Sequence, residues 1–201
     1  MPDEPAVICA AVAERAAPLC RVLGSPEQVQ WLDAALDLVW AAAAGEPVAE
    51  GCAEALDELE PGVDDFEEAD MGSPEHFVSQ SVTLVGIALA CSLRRSAPGT
   101  EVALGTLRSL AGVLDVEVMG KRPVVVKHGD PPPPPGPLLR KELEAQREVQ
   151  ALVAAVMDEG DGVVPPAVVA RARTAAQAYA AAFTPVVERL AELNDWELDG
   201  R

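Results

Sequence analysis

The chain has 201 residues, 49% of them hydrophobic but only 3% aromatic, and sets 33 acids against 15 Lys and Arg for a formal net charge of −18. That length supports one substantial core, and an Ala-, Leu- and Val-rich composition this poor in aromatics favours close-packed helices over a β-sandwich. The charge argues against a nucleic-acid or anionic-membrane surface, because a polyanion offers such a chain no counterion release.

Ala6 to Leu23 reads as a first helix with Pro18 inside it, which should kink the helix or split it; Gly24 stops it. Ser25-Pro26-Glu27-Gln28 combines a hydroxyl N-cap, Pro at the first helical position and Gln three residues past the cap. The helix it opens runs to about Ala44, with Val29, Leu32, Leu36, Val39 and Trp40 inward and Asp33 and Asp37 outward. A short helix near Val48 to Glu60 is closed by Pro61-Gly62. Phe66, the one aromatic in the acidic run that follows, is expected to anchor that loop. Ser73-Pro74 opens a helix whose Phe77–Leu93 segment holds no charged residue, the reading of a helix enclosed by others. Its small residues Ser79, Thr83, Gly86 and Ala90 form a stripe expected to admit a close neighbour.

Arg94-Arg95 and Pro98-Gly99 end that helix, and Thr100 is expected to cap the next, which continues to about Met119. Val116 to Val126 also has the composition of a hairpin through Gly120. Residues 121–137 form a Pro-rich connector, since Pro131 to Pro135 is incompatible with a helix. Leu138 to Asp158 presents Leu139, Leu143, Gln146, Val149, Val153 and Val156 on one face. Pro165-Pro166 then starts a long terminal helix in which Val169, Ala172, Ala176, Tyr179, Phe183, Val186, Leu190 and Leu193 make a continuous seam, with Pro185 expected to bend it. The expected architecture is all-α: a single-domain bundle of six to eight helices over 1–201, in which that seam packs against Leu138–Asp158 to make a C-terminal antiparallel hairpin (138–201), itself packed on 1–120.

The charge is concentrated. Val22 to Leu93 contains no Lys or Arg and fifteen acids. Eight of those, Asp57, Glu58, Glu60, Asp64, Asp65, Glu67, Glu68 and Asp70, fall within fourteen positions. Repulsion at that density opposes packing, so the run must be solvated, bound to a cation or presented to a basic partner. Its spacing lacks the central Gly and distal Glu of a calcium loop.

Recognisable chemistry is sparse. There is no phosphate-binding glycine loop, nucleophile elbow or His-rich metal motif, and the two histidines, His76 and His128, read as exposed structural residues. Cys9, Cys20, Cys52 and Cys91 show neither CxxC nor zinc spacing, and read as buried reduced thiols of a cytoplasmic protein. The acidic N-terminus lacks the basic region of a signal peptide. Phe77–Leu93 is short of the roughly 20 residues that span a bilayer and carries several hydroxyls, which argues against a membrane helix. The remaining candidate for a ligand is a carboxylate-lined cavity inside the bundle, with Glu14, Asp37, Trp40, Glu142 and Gln146 as liners and Asp64 or Asp65 as a further oxygen donor.

Glu14-Arg15 with Pro18, Leu36 to Trp40, Leu56 to Phe66 with Asp64-Asp65-Phe66, and Glu142 with Gln146 and Glu148 resemble, in this order, the bacterial domain of unknown function 416 family. The resemblance spans roughly Ala6 to Val156 and implies an all-helical bundle. It implies no reaction, cofactor or metal. Where that family carries a Tyr-x-x-x-Pro segment followed by an Asp-Ala pair, this chain has Met71-Gly72-Ser73-Pro74 followed by Phe77-Val78-Ser79.

These readings converge on a non-catalytic cytoplasmic protein that presents its acidic half to a basic protein partner, in the manner of an inhibitor or immunity protein capping the nucleic-acid face of a toxin nuclease. The alternatives are a small-molecule- or divalent-metal-binding protein, conceivably an enzyme, built on the carboxylate-lined cavity, and a homo-oligomeric scaffold, a homodimer at its simplest, built on the Val169–Leu193 seam.

Overall fold

The computed structural model describes residues 4–59, 72–94, 97–120, 133–157 and 164–196. These form seven helices and no strand: α1 (Glu4–Leu23), α2 (Pro26–Ala43), α3 (Ala49–Leu59), α4 (Pro74–Leu93), α5 (Ala97–Glu117), α6 (Pro137–Met157) and α7 (Pro166–Leu193). The all-α bundle expected from the composition is what the chain builds. Phe66, His128 and the 121–126 part of the hairpin reading lie outside the described residues.

Local chemistry sets most of the helix starts. Ser25 Oγ accepts from the Gln28 amide at 3.3 Å while Gln28 Oε1 accepts from the Ser25 amide at 2.9 Å, a complete capping box at α2. Ser73 Oγ accepts from the His76 amide at 3.2 Å at the head of α4. Helix α1 runs unbroken through Pro18 to Leu23, the end expected for it. One boundary differs from expectation. Helix α5 begins at Ala97 rather than after a Thr100 cap, because Pro98 sits in the first turn, where no backbone donor is needed. Thr100 is thereby carried inside the helix and buried.

The helix at the centre is α1 and not α4, whose Phe77–Leu93 segment is uncharged. Every residue from Ala6 to Cys20 is buried, and α1 packs extensively on α4 and α7 and also on α2, α5 and α6. Six alanines between Ala6 and Ala17 keep its surface thin, so neighbours approach on all sides. Helix α4 runs antiparallel to it, Ser81 Oγ donating to the Ala16 carbonyl at 3.0 Å and Cys91 lying beside Cys9. Helix α4 does leave an outer face: Thr83 and Ala90 are exposed, so the expected small-residue stripe is divided. Its Ser79 and Gly86 are buried, and Gly86 lies against Leu59 of α3, which a Cβ would approach to 2.9 Å. Among the described residues α4 is the one helix long and apolar enough to cross a membrane, and its burial is that of a core helix.

The C-terminal helices also sort differently from the expected pairing. The buried residues of α7 are Val169, Ala172, Ala176, Tyr179, Ala180, Phe183, Val187, Leu190 and Ala191, so the seam steps from Val186 to Val187 beyond Pro185, and Leu193 is exposed. This seam is spent chiefly on α1 rather than on α6, while α6 packs chiefly on α5. Helices α5 and α6 are antiparallel: Asp115 near the end of α5 meets the start of α6, and Leu104 further back meets Gln146. Asp115 caps α6 from outside, its Oδ1 and Oδ2 accepting the Leu138 and Leu139 amides at 2.9 and 3.0 Å. Gly136 is required beside it, since a Cβ there would overlap the carboxylate.

Candidate functional site

Between Pro5 and Cys20 the only charged residues are Glu14 and Arg15, in the middle of the most enclosed helix of the molecule. Consecutive helical positions diverge by roughly 100°, so the two side chains leave α1 on different sides. Each has to find its partner inside the protein, because an unpaired buried charge is prohibitively costly.

Glu14 turns toward α2. Its Oε2 accepts from Trp40 Nε1 at 2.9 Å and its Oε1 from Arg21 Nη1 at 3.4 Å; Arg21 also holds the exposed Asp33 at 2.8 Å. Arg15 turns toward α6 and α7. Its Nε donates to Glu142 Oε2 at 3.0 Å and its Nη2 to Oε1 at 2.8 Å, a bidentate fork in which Arg15 is 1% and Glu142 0% exposed. Gln146 Nε2 donates to the same Glu142 Oε1 at 2.8 Å and to the Leu104 carbonyl at 3.1 Å. One amide thus ties the ion pair to the backbone of α5.

Tyr179 of α7 closes the cluster. Arg15 lies 5.8 Å and Lys141 5.1 Å from its ring centroid. Burial pushes the phenol above its ordinary range, the Glu142 charge adds to that, and Arg15 opposes it. Over this cluster α6 and α7 leave a shallow groove of about 310 Å³ bordered by Arg15, Lys141, Glu144, Glu148 and Tyr179.

The carboxylates offered as cavity liners therefore do not converge. Glu142 and Gln146 belong to one network, and Glu14 with Trp40 to another. Asp37 is on the surface, its side chain 75% exposed and bonded to Arg173 Nη2 at 2.7 Å. A metal site shared by Asp37, Glu14 and Glu142 is ruled out by this separation, since each carboxylate faces its own cation or indole. Asp64 and Asp65 lie outside the described residues. Among the described residues no three His, Cys, Asp or Glu side chains are grouped to hold a metal ion. Glu142, with its lone pairs already engaged by two or more donors, is poorly placed to act as a general base.

The acidic stretch is placed differently. All nine of its described acids, Glu27, Asp33, Asp37, Glu46, Glu50, Glu54, Asp57, Glu58 and Glu75, are exposed. Asp33 and Asp37 are paired with Arg21 and Arg173. On α3, Glu50, Glu54 and Glu58 recur at i, i+4, i+8 with Asp57 alongside, making one ridge that no cationic side chain among the described residues meets. Of the eight acids singled out for partner binding, Asp57 and Glu58 sit in the last turn of this ridge. Glu60, Asp64, Asp65, Glu67, Glu68 and Asp70 lie outside the described residues.

Arg15, Tyr179 and Asp115 carry roles that the sequence reading did not assign. A signal for the first was present: an adjacent acid and base in the otherwise uncharged apolar stretch from Pro5 to Cys20 have to be buried and paired. The other two offered none, since each is fixed only by a partner far away in the chain. No family model, no curated protein and no solved structure matches this chain.

Proposed function

We propose that the protein is a non-catalytic binder that presents the α3 ridge, with the acidic run that follows it, to a basic protein partner, and that it does so in the cytoplasm. One observation carries the reading: α3 retains an arrangement that works against its own stability. Glu50–Glu54 and Glu54–Glu58 are like charges one turn apart, and Asp57 and Glu58 sit at the C-terminal, negative end of the helix dipole. Each such contact costs a few tenths of a kcal/mol, in a helix that fully buries only Cys52 and Ala55. Cations brought by a partner would relieve both penalties at once, and complementary charge accelerates encounter and selects among partners.

An inhibitor or immunity-like role, covering the cationic face of a nuclease, is the most concrete form of this proposal. The internal charges support it indirectly, because Glu14 and Glu142 are committed to Trp40 and Arg15 and leave the surface acids as the available chemistry. The homodimer reading loses its proposed surface, as the α7 seam is occupied by α1. Kinship with the domain of unknown function 416 family rests on the ordered short motifs alone.

The test compares the wild-type chain with Glu50→Gln/Glu54→Gln/Asp57→Asn/Glu58→Gln, both immobilised, for proteins retained from a source-cell lysate. Basic proteins held by the wild type at low ionic strength, released at high salt and absent from the neutralised variant support the proposal. Identical retained sets for two equally helical proteins refute it.

A further inference from the structure

Cys9 of α1 and Cys91 of α4, 82 positions apart in sequence, meet in the core with their Sγ atoms 3.4 Å apart. The Cys9 thiol is also 3.7 Å from Thr100 Oγ1 of α5. They are 0% and 2% exposed, and all four cysteines of the chain are thiols. A disulfide sulfur–sulfur bond is about 2.05 Å long, so the pair has little more than 1 Å to close.

We infer that Cys9 and Cys91 form an oxidation site at which hydrogen peroxide joins α1 to α4 through a reversible disulfide. One sulfur, as thiolate, attacks the peroxide O–O bond and becomes a sulfenic acid, and the departing oxygen takes up a proton and leaves as water. The neighbouring sulfur, already in contact, attacks the sulfenic sulfur, forms the S–S bond and expels hydroxide. That hydroxide takes the remaining thiol proton to give a second water. Two thiols and one hydrogen peroxide thus yield one disulfide and two waters, each sulfur giving up one electron to the peroxide oxygens. A dithiol reductant reverses the step by exchange.

The other two cysteines lack this geometry. Among the described residues the sulfur–sulfur contact is that of Cys9 with Cys91, so a sulfenic acid formed at Cys20 or Cys52 has no second thiol in place to resolve it. The oxidised ring would enclose α2, α3 and every one of the fifteen acids between Val22 and Leu93. It would tie together the half of the chain whose own repulsion most favours expansion. This inference does not depend on the proposed partner surface, since the link forms and is read in the isolated chain.

The experiment treats the reduced, folded full-length protein with hydrogen peroxide, then denatures it, alkylates remaining thiols and measures intact mass and protease-derived peptides. The expected product is a monomer 2 Da lighter before alkylation, with two alkylatable thiols left. A crosslinked peptide should join Cys9 to Cys91, and dithiothreitol should restore all four thiols. Closing so long a loop should raise Tm by about 10 °C. Cys20→Ala/Cys52→Ala should keep the 2 Da loss and Cys91→Ser should abolish it. Retention of four thiols, a bond on another pair, or sulfinic acid without a bond would each overturn the inference, and the wild-type map decides this even where a variant fails to fold.

Discussion

Replacing Glu142 by Leu removes the carboxylate that receives Arg15 Nε, Arg15 Nη2 and Gln146 Nε2, while Arg15 stays 1% exposed beneath α6 and α7. The guanidinium keeps the Tyr179 ring 5.8 Å away, worth up to about 2 kcal/mol for a desolvated cation. That contact is too weak to replace a bidentate ion pair. The loss should fall at about 3–5 kcal/mol, the range for breaking a buried pair on one side only. Against a total stability of about 5–15 kcal/mol this is a large fraction. Arg15→Met/Glu142→Leu removes both charges and leaves Gln146 Nε2 its Leu104 carbonyl. It should recover most of the loss and come within about 1–2 kcal/mol of the wild type. Urea unfolding followed by circular dichroism, analysed as a double-mutant cycle, gives all four stabilities. A Glu142→Leu loss below about 1 kcal/mol, or a double variant equal to the sum of the singles, would mean that the two charges do not depend on each other.

The Asp115 cap should behave as a coupled pair with Gly136: Asp115→Ala costs about 1–2 kcal/mol. Gly136→Ala is severely destabilising in the wild type but much milder on the Asp115→Ala background, as thermal melts of the three variants would show. Stability should fall with alkali. Cys20 is raised from 9.0 to about 12 in the fold, so the unfolded chain loses its proton first, and this contribution is intact below pH 9 and drains away as pH climbs toward 12. Urea midpoints across that window should fall less steeply for Cys20→Ala, by about 1.4 kcal/mol per pH unit at most. Glu54→Gln/Glu58→Gln should stabilise the protein by a few tenths of a kcal/mol to about 1 kcal/mol at low salt and by less at high salt, measured the same way. A loss of stability instead would mean that these acids are already compensated.

Much of the fold was legible locally. Ser25 with Gln28 and Ser73 with Pro74 mark helix starts because capping bonds join residues three apart, and Pro165-Pro166 marks one because a proline's fixed φ suits the first turn. The Val169–Leu190 periodicity likewise marks the buried face of α7. The candidate site was read less well. Glu14, Trp40, Glu142 and Gln146 are buried polar or amphipathic groups, as an interior site requires. Yet nothing in their spacing separates a cavity from a set of satisfied pairs, and Asp37 at the same helical period faces solvent. The α6 face was read correctly at Gln146, Val149 and Val153 but began at Leu139 and Leu143, when the buried line begins at Leu138 and Glu142. A periodicity that counts only apolar residues passes over a carboxylate whose partner is 127 positions away.

By itself, then, the chain determined that it would be helical, where α2, α4 and α7 begin, and that its negative charge would gather between Val22 and Leu93. Those properties follow from hydrogen bonds and charges among near neighbours. Only the tertiary structure decided that α1 would be the axis, that Glu14 and Arg15 would be neutralised on different sides of it, and that Cys9 would come to rest against Cys91. Burial converts a charged pair from a surface feature into an internal tie, and proximity converts two distant thiols into a reactive pair. Both depend on which helices pack together, which local sequence does not record.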